Sequence, residues 1–482
     1  MEYATLALGL LLPWALGAAA LLALRDTAAP LDAPGELAWL LGAGYPIGAI
    51  LLTAWMRVLS IGGVRFGALS IGVPLLLAAV ALGAWGARRH GQAAALAATR
   101  RAWKPPADLS GFARAVWWGL LGWIALRFAL LALDVAWQPL YPWEAWIAWA
   151  TKARVWFELG RMAPFVDTDA WWAANATANA VAWFDASPSN PAMLPLLQVW
   201  SCVSLGRWDD ALMNWPWWQM AAALALASYG GLRRLGASEL EALAGAYFVA
   251  SLPLANVHVA LAGYADLPLA AVYAMAVLAL LHWISNRTAR GAVVVVLLVV
   301  ACPLVRTAGA YWALTLLPGL AVAVLPRAAL KITLGAFGIV ALALSALAQT
   351  NVVVAGRDLH LDFAPAWSTL WEGKFLLGSW HLLWYGVVGA ALLAWRRLLE
   401  PPLLGAALVV AAGLLLLSIP FAFPGVSRLV ADVPGIARAS LHLAPTLALF
   451  IVLAFRGFAS RCAIDEPPPE PAAPAESSVI KS

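Results

Sequence analysis

The chain has 482 residues, of which 63% are hydrophobic and only 11% are charged. Soluble domains carry about 25% charged residues, so this composition excludes an ordinary water-soluble protein with a polar surface. The formal net charge of +5 comes from basic residues spread over short loops, so no nucleic-acid partner is predicted. The three cysteines are too few and too dispersed for a disulfide framework or a metal cluster.

Apolar runs of about twenty residues recur along the whole chain, and each is long enough to cross the ~30 Å hydrocarbon core of a bilayer. We therefore predict an all-α protein, a polytopic transmembrane helical bundle of about thirteen spans. Their approximate bounds are 4–24, 36–56, 66–86, 113–135, 210–231, 239–258, 265–285, 290–305, 308–326, 330–350, 376–395, 402–422 and 437–456. No basic segment precedes the first run, which predicts an uncleaved span rather than a signal peptide.

Basic residues in the connecting loops predict the orientation of these spans, because Lys and Arg are enriched on the cytoplasmic side. The loops that alternate consistently as cytoplasmic contain Arg88, Arg233, Arg287, Arg327, Arg396 and Arg456. This alternation requires that the short apolar run 191–205 does not cross, so we predict a helix lying at the outer interface there. Residues 138–209 then form the longest outer loop.

Three parts are predicted along the chain. Residues 1–112 form a three-span N-terminal extension with a basic cytoplasmic loop, and residues 113–456 form the transmembrane core. Residues 457–482 are rich in proline and glutamate, which predicts a disordered cytoplasmic tail.

The outer loop is rich in tryptophan and contains a predicted short helix. Twelve of the 28 tryptophans lie between Trp143 and Trp218, and tryptophan favours the headgroup zone of a membrane. Pro142 followed by helix formers predicts the helix, on which the four-residue spacing of Glu144 and Lys152 through Ala148 indicates a shared face. Spacing alone leaves two interpretations open. In one, Glu144 caps the helix while Lys152 lies at the membrane interface, and in the other, the two residues form a functional pair.

Five motifs follow one another along residues 113–456. They are Pro142-Trp143-Glu144-Ala145-Trp146 with Lys152-Ala153-Arg154, residues 190–197, residues 206–216, Gly263-Tyr264-Ala265-Asp266-Leu267-Pro268, and Arg438 with His442 and Pro445. In order and sidedness they resemble the outer-face motifs of GT-C type glycosyltransferases, and most of all those of poorly characterised bacterial members. The chain departs from the family pattern at Glu144, where relatives usually carry aspartate, and at Arg306, where they often carry lysine.

The resemblance implies a GT-C-like bundle with a large first periplasmic loop that contains interfacial helices. It implies an inverting glycosyltransferase in the bacterial inner membrane, with the loop facing the periplasm. The expected partners are a polyprenyl-phosphate-linked sugar donor, an acceptor of unknown identity and the lipid bilayer.

The reaction that the resemblance implies needs a base and cations. Glu144 is the candidate general base, because partial desolvation at the lipid–water boundary raises the pKa of a carboxylate. Asp266 is the alternative base or its partner, and an aspartate before Leu-Pro is also typical of a helix N-cap. The leaving phosphate needs positive charge. The candidates on the predicted outer side are Lys152, Arg154, Arg438 and His442, followed by Arg306 and Arg428.

Other charged residues stand apart from this predicted site. Arg127 lies within the fourth span with Asp134 seven residues on, so we expect it to face the interior and pair with Asp134 or another span. Asp167, Asp169 and Asp185 offer oxygen ligands for a divalent cation, but their loose spacing is also typical of a solvated surface. No metal site is predicted, and the need for a cofactor stays open.

Two other functional classes stay open. A transporter or flippase of lipid-linked sugars would need inverted repeats and discontinuous helices with polar residues near the bilayer midplane. A non-catalytic membrane protein of envelope assembly would tolerate removal of the loop charges. No Walker loop is present, which disfavours an ATP-driven pump.

Overall fold

The computed structural model is an all-α protein with two pairs of very short strands among the described residues. The structure describes residues 2–27, 30–91, 109–175, 182–348, 351–354, 357–360, 363–376, 378–423 and 433–465. Arg428, most of the basic loop before residue 109 and the tail beyond 465 lie outside these ranges. Within the tail predicted to be disordered, the backbone remains helical as far as Asp465.

The first part of the chain forms a series of helices. They are α1 (Glu2–Leu24), α2 (Glu36–Ile61), α3 (Ala68–His90), α4 (Gly111–Trp137), α5 (Trp143–Ala145), a π-helical turn (Trp146–Ala150), α6 (Thr151–Leu159), α7 (Thr168–Asn175), α8 (Met193–Leu205), α9 (Trp215–Arg234), α10 (Glu239–Ala250) and α11 (Pro253–Ala260). Strands β1 (Phe165–Val166) and β2 (Trp183–Phe184) pair in parallel inside the loop.

The second part of the chain is also a series of helices with one pair of short strands. Its helices are α12 (Asp266–Asn286), α13 (Ala289–Val305), α14 (Gly309–Leu314), α15 (Leu317–Val324), α16 (Ala329–Leu347), α17 (Trp367–Trp371), α18 (Leu383–Ala394), α19 (Leu403–Ala422), α20 (Val433–Leu441) and α21 (Ala444–Asp465). Strands β3 (Asn351–Val354) and β4 (Arg357–His360) form an antiparallel pair. A π-helical turn (Glu372–Leu376) follows α17.

Seven helices of the described chain are long and apolar enough to cross a membrane, or eight if the bent pair α10 and α11 is one span. The seven are α1, α2, α3, α4, α12, α16 and α19. The other spans of the predicted thirteen correspond to shorter, broken or less apolar helices, so the sequence-based count exceeds the number of long helices. Prolines explain two breaks, since Pro253 starts α11 and Pro318 lies in the first turn of α15.

Helix α12 lies at the centre of the bundle and is buried on nearly all sides. A helix that is apolar all round is expected in such a position. The N-terminal helices pack against this core through glycine. A Cβ atom on Gly42 of α2 would lie 2.3 Å from the Ala227 amide nitrogen of α9, so only glycine permits this approach.

Helix α8 corrects the predicted interfacial helix at 191–205. Its 13 residues reach only about 20 Å, too short for a span, as the charge alternation required. The helix does not lie along a lipid surface, however, because nearly all of its side chains are buried against α1, α2 and α6. The Trp200 indole donates a 2.8 Å hydrogen bond to the Gly9 carbonyl. An apolar run without a polar face fits a protein core better than an interface.

Candidate functional site

Asp266 begins α12, and its carboxylate is almost completely buried, with 1% of the side chain exposed. One carboxylate oxygen bonds Arg306 and lies 2.9 Å from His442 Nε2. The other accepts hydrogen bonds from Arg438 Nε at 3.1 Å and Nη2 at 2.8 Å. Two arginines and a histidine therefore surround one carboxylate.

Arg438 joins Asp266 to the outer loop. Its Nη1 lies 2.5 Å from Glu144 Oε2, and its Nη2 lies 3.2 Å from Glu144 Oε1, which makes a two-point contact. The guanidinium also lies over the Tyr264 ring, 4.3 Å from its centre. Glu144 remains 42% exposed, unlike Asp266. We call Glu144, Asp266, Arg306, Arg438 and His442 the Asp266 cluster.

The chain brings these residues together through a close backbone approach. Gly263 has a φ of 113°, and a Cβ atom there would lie 2.5 Å from the Cβ of Ala145. Glycine therefore permits the segment before Asp266 to touch the helix that carries Glu144. Arg306 directly follows the last residue of α13, and Arg438 lies on α20.

Two histidines border the cluster. His442 lies between α20 and α21, and its ring packs edge-on against Trp312 at 5.6 Å. His258 on α11 lies with its Nε2 4.0 Å from Asp266 and its ring 5.3 Å from that of Tyr264. Sequence reasoning missed His258. A histidine near the end of the predicted span 239–258 was the available signal, because buried polar residues in spans usually have partners.

Lys152 does not join the cluster. Its amine pairs with Asp185 at 3.1 Å and donates to the carbonyl oxygens of Ser187, Pro188 and Asn190. Burial lowers the pKa of Lys152, and the Asp185 carboxylate opposes that shift. The predicted face shared with Glu144 is not formed as a common site, because the two side chains bind different partners on either side of the π-helical turn.

Arg154 is also remote from the contacts of the cluster. It pairs with Glu158 one helical turn on, at 2.8 Å, and lies over the Trp208 ring. About half of its side chain is exposed. Of the six main candidates, the structure brings together Glu144, Asp266, Arg438 and His442 and leaves Lys152 and Arg154 elsewhere in the loop. Of the two weaker candidates, Arg306 joins the cluster and Arg428 lies outside the described residues.

The loop carboxylates do not assemble a cation site. Asp185 is engaged by Lys152 and by the Ser187 amide, and Asp167 caps a turn by accepting from the Ala170 amide at 2.9 Å. Among the described residues, no group of three or more His, Cys, Asp or Glu side chains is arranged to hold a metal ion.

Lys374 is a buried cation that sequence reasoning did not single out. It lies in the π-helical turn after α17, contacts the Ser440 hydroxyl on α20 and lies over the Trp384 ring. Ser440 stands between Arg438 and His442, so this lysine approaches the cluster from behind α20. Burial lowers the pKa of Lys374 to about 7.

Comparison of the chain with protein-family models, with curated proteins and with solved structures finds no match. The chemistry of the Asp266 cluster is therefore the basis for any functional conclusion. The cluster contains the accessible carboxylate of Glu144 next to Arg438, and the buried carboxylate of Asp266 holds Arg438 in place. Such a site can accept a proton and bind an anion at adjacent positions.

Proposed function

We propose that this chain is a membrane glycosyltransferase of GT-C type. It transfers a sugar from a polyprenyl-phosphate carrier to an acceptor at the periplasmic face of a bacterial inner membrane. The observation that carries the proposal is Arg438, which holds an exposed Glu144 and a buried Asp266 at once. The order of the five motifs adds support. In this proposal the shorter apolar helices pair end to end, or the bilayer thins around them, to complete about thirteen spans.

The exposures of the two carboxylates assign their roles. Glu144 is exposed enough to reach an acceptor hydroxyl, whereas both oxygens of Asp266 are occupied by cationic or histidine partners. Glu144 is therefore the proposed general base. Asp266 is the positioning residue that fixes Arg438, which revises its candidacy as a base. Arg438 is the proposed phosphate-binding residue, with Arg306 and His442 beside it.

The proposed transfer is a single displacement. The acceptor hydroxyl oxygen attacks the anomeric carbon while the bond from that carbon to the phosphate oxygen breaks. The electron pair leaves with the polyprenyl phosphate, and the hydroxyl proton passes to Glu144. Attack opposite to the leaving group inverts the anomeric configuration. Arg438 stabilises the charge that develops on the phosphate, after its two-point contact with Glu144 has opened.

The test is turnover of a polyprenyl-phosphate sugar by the full chain in proteoliposomes. Glu144→Gln should lower the rate about 10²- to 10⁴-fold, the usual contribution of a general base. Glu158→Gln is the matched control, since it removes an exposed carboxylate from the same loop and should keep the wild-type rate. The enzyme proposal is contradicted if the purified wild type neither binds nor turns over any polyprenyl-phosphate sugar. Full activity of Glu144→Gln would move the base elsewhere.

Transport of a lipid-linked sugar is a second candidate, favoured by one observation. Helices α10 and α11 form a span bent by 59°, and the buried side chains Asn256 and His258 follow the break. Discontinuous helices with polar residues near the midplane are typical of secondary transporters. The products formed from a labelled donor distinguish the two functions. A transporter moves a labelled donor across the vesicle with its sugar–phosphate bond intact, whereas a transferase releases polyprenyl phosphate.

A further inference from the structure

Arg127 is an exposed cation far inside a membrane-spanning helix. It lies about 24 Å from the start of α4 and about 15 Å from its end, at 1.5 Å per residue. Its helix exposes Trp123, Leu126 and Leu130, as expected of a surface that faces lipid. A charge at this depth is costly and is kept where it has a partner or a task.

Of the two partners expected for Arg127, Asp134 is not used and another predicted span is, but the side chain is exposed and does not face the interior as expected. Within the described part of the chain no salt bridge includes Arg127, and Asp134 on the same helix is not its partner. Its Nε donates a 3.2 Å hydrogen bond to the Asn256 side-chain oxygen. Asn256 is fixed in turn, since its amide nitrogen donates to the carbonyls of Ala250 and Leu252 at the break between α10 and α11.

A cavity of about 270 Å³ lies beside Arg127. This volume can hold a small polar head group. It is lined by Trp123, Ile124, Arg127, Tyr247, Ala250, Ser251 and His381. None of these seven residues is acidic, and five of them can donate hydrogen bonds from side chains. This lining is complementary to an anion.

The cavity is placed where a lipid can reach it. Its walls are the lipid-exposed helix α4, the break after α10, and the residues just before α18. His381 lies two residues before the start of α18. None of the seven lining residues belongs to the Asp266 cluster, so the two sites are separate, although Asn256 and His258 of α11 contact Arg127 and the cluster respectively.

We propose that this cavity binds the phosphate of an anionic membrane lipid, with Arg127 as the charged contact and Tyr247 as a hydrogen-bond donor. Ser251 is a second donor once its hydroxyl turns away from the Phe248 carbonyl, to which it donates at 3.1 Å. The lipid enters between α4 and α18, and its acyl chains lie along the exposed apolar face of α4. The lipid phosphate supplies the negative charge that no described residue supplies to Arg127. This site is independent of the proposed glycosyltransferase activity, and no sugar donor is needed to test it.

The test is native mass spectrometry of the full chain, titrated in detergent with phosphatidylglycerol, with phosphatidylcholine or with inorganic phosphate. We expect wild type to retain phosphatidylglycerol in preference to phosphatidylcholine, and inorganic phosphate not to displace it at equal concentration. Arg127→Gln should weaken phosphatidylglycerol binding at least about tenfold while keeping a donor for Asn256. Arg114→Gln is the matched control, because it removes the same charge near the start of the same helix and should change binding less than twofold.

Two hydroxyl variants make the test independent of the folding of Arg127→Gln. Tyr247→Phe and Ser251→Ala keep the arginine and should each weaken phosphatidylglycerol binding about two- to threefold. Unchanged binding in these variants and in Arg127→Gln overturns the proposal. Equal retention of phosphatidylcholine also overturns it, as does displacement by inorganic phosphate, which would indicate a soluble anion as the ligand.

Discussion

The Asp266 cluster and the Lys152–Asp185 pair both bury a carboxylate against a cation, but they differ in how completely the charges are enclosed. Lys152 and Asp185 expose 3% and 0% of their side chains, and three backbone carbonyls complete the shell of the amine. In the Asp266 cluster, Arg438 exposes 23% and Glu144 exposes 42% of the side chain. The Lys152–Asp185 pair is fully enclosed by protein, whereas the Asp266 cluster is exposed on one side.

The two groups also differ in what they connect. The closed pair joins residues 33 positions apart within one loop, so it fixes the shape of that loop. The open cluster joins Glu144 and Arg438 across 294 positions of the chain. An ion pair that is fully enclosed stabilises a local fold, whereas one that keeps an exposed carboxylate can bind or react. This difference makes the cluster, and not Lys152, the candidate site.

The largest expected effect follows from Asp266→Asn. The substitution keeps the shape of the side chain but leaves Arg306 and Arg438 without their buried counter-charge. We expect a loss of about 3–5 kcal/mol in unfolding free energy, as for other broken buried pairs. Thermal and denaturant unfolding in detergent measures it. A loss below about 1 kcal/mol would show that the arginines do not depend on Asp266.

The closed pair should behave as a structural unit. Lys152→Met leaves Asp185 buried without a cation and should cost up to about 3 kcal/mol. Combining Lys152→Met with Asp185→Asn removes both charges and should recover most of that loss, because a neutral pair needs no counter-charge. The same unfolding assay gives the coupling between the two changes. Additive losses in the double variant would contradict a closed pair.

Lys374 is a buried lysine whose effect on the stability of the protein depends on pH. Its pKa falls from the usual 10.5 to about 7 on burial, so the unfolded chain binds more protons between these values. Stability should therefore rise as pH increases from 7 to 10.5, with a slope approaching about 1.4 kcal/mol per pH unit from this group. Below pH 7 both states are protonated, so stability no longer changes with pH through this group. Lys374→Met should remove this slope, and an identical pH profile in the variant would contradict the assignment.

The smallest effect is expected at Arg154. Its ion pair with Glu158 is exposed and joins neighbouring turns of one helix. Arg154→Ala should change stability by about 0.5 kcal/mol or less and leave transfer activity intact. A large fall in turnover, with unchanged unfolding, would return Arg154 to the list of phosphate-binding residues.

Periodicity and hydropathy predicted the helical class and the position of most helices. They did not predict where a helix breaks or how short it remains, because those features depend on tertiary partners. The run 191–205 is an example, since its apolar residues serve a protein core rather than a membrane interface. The 59° bend after Ala250 differs, because Pro253 was a local signal for it that hydropathy does not register.

Part of the candidate site was also predictable. Motif order pointed to Glu144, Asp266, Arg438 and His442, which meet in the structure. The four-residue spacing of Glu144 and Lys152 was misleading, because a π-helical turn lies between them and their partners differ. Lys374 was missed because its partner Ser440 is 66 positions away. His258 was missed although Tyr264 and Asp266 follow it closely in the sequence.

Arg438 is proposed to release Glu144 and bind the donor phosphate. An electron cryo-microscopy structure of the full chain with a non-reactive polyprenyl-phosphate sugar analogue tests this claim. We expect the phosphate within hydrogen-bond distance of Arg438, the bond from Arg438 to Asp266 retained, and Glu144 turned toward the anomeric carbon. A bound analogue elsewhere on the protein, with the contact between Arg438 and Glu144 intact, would contradict it.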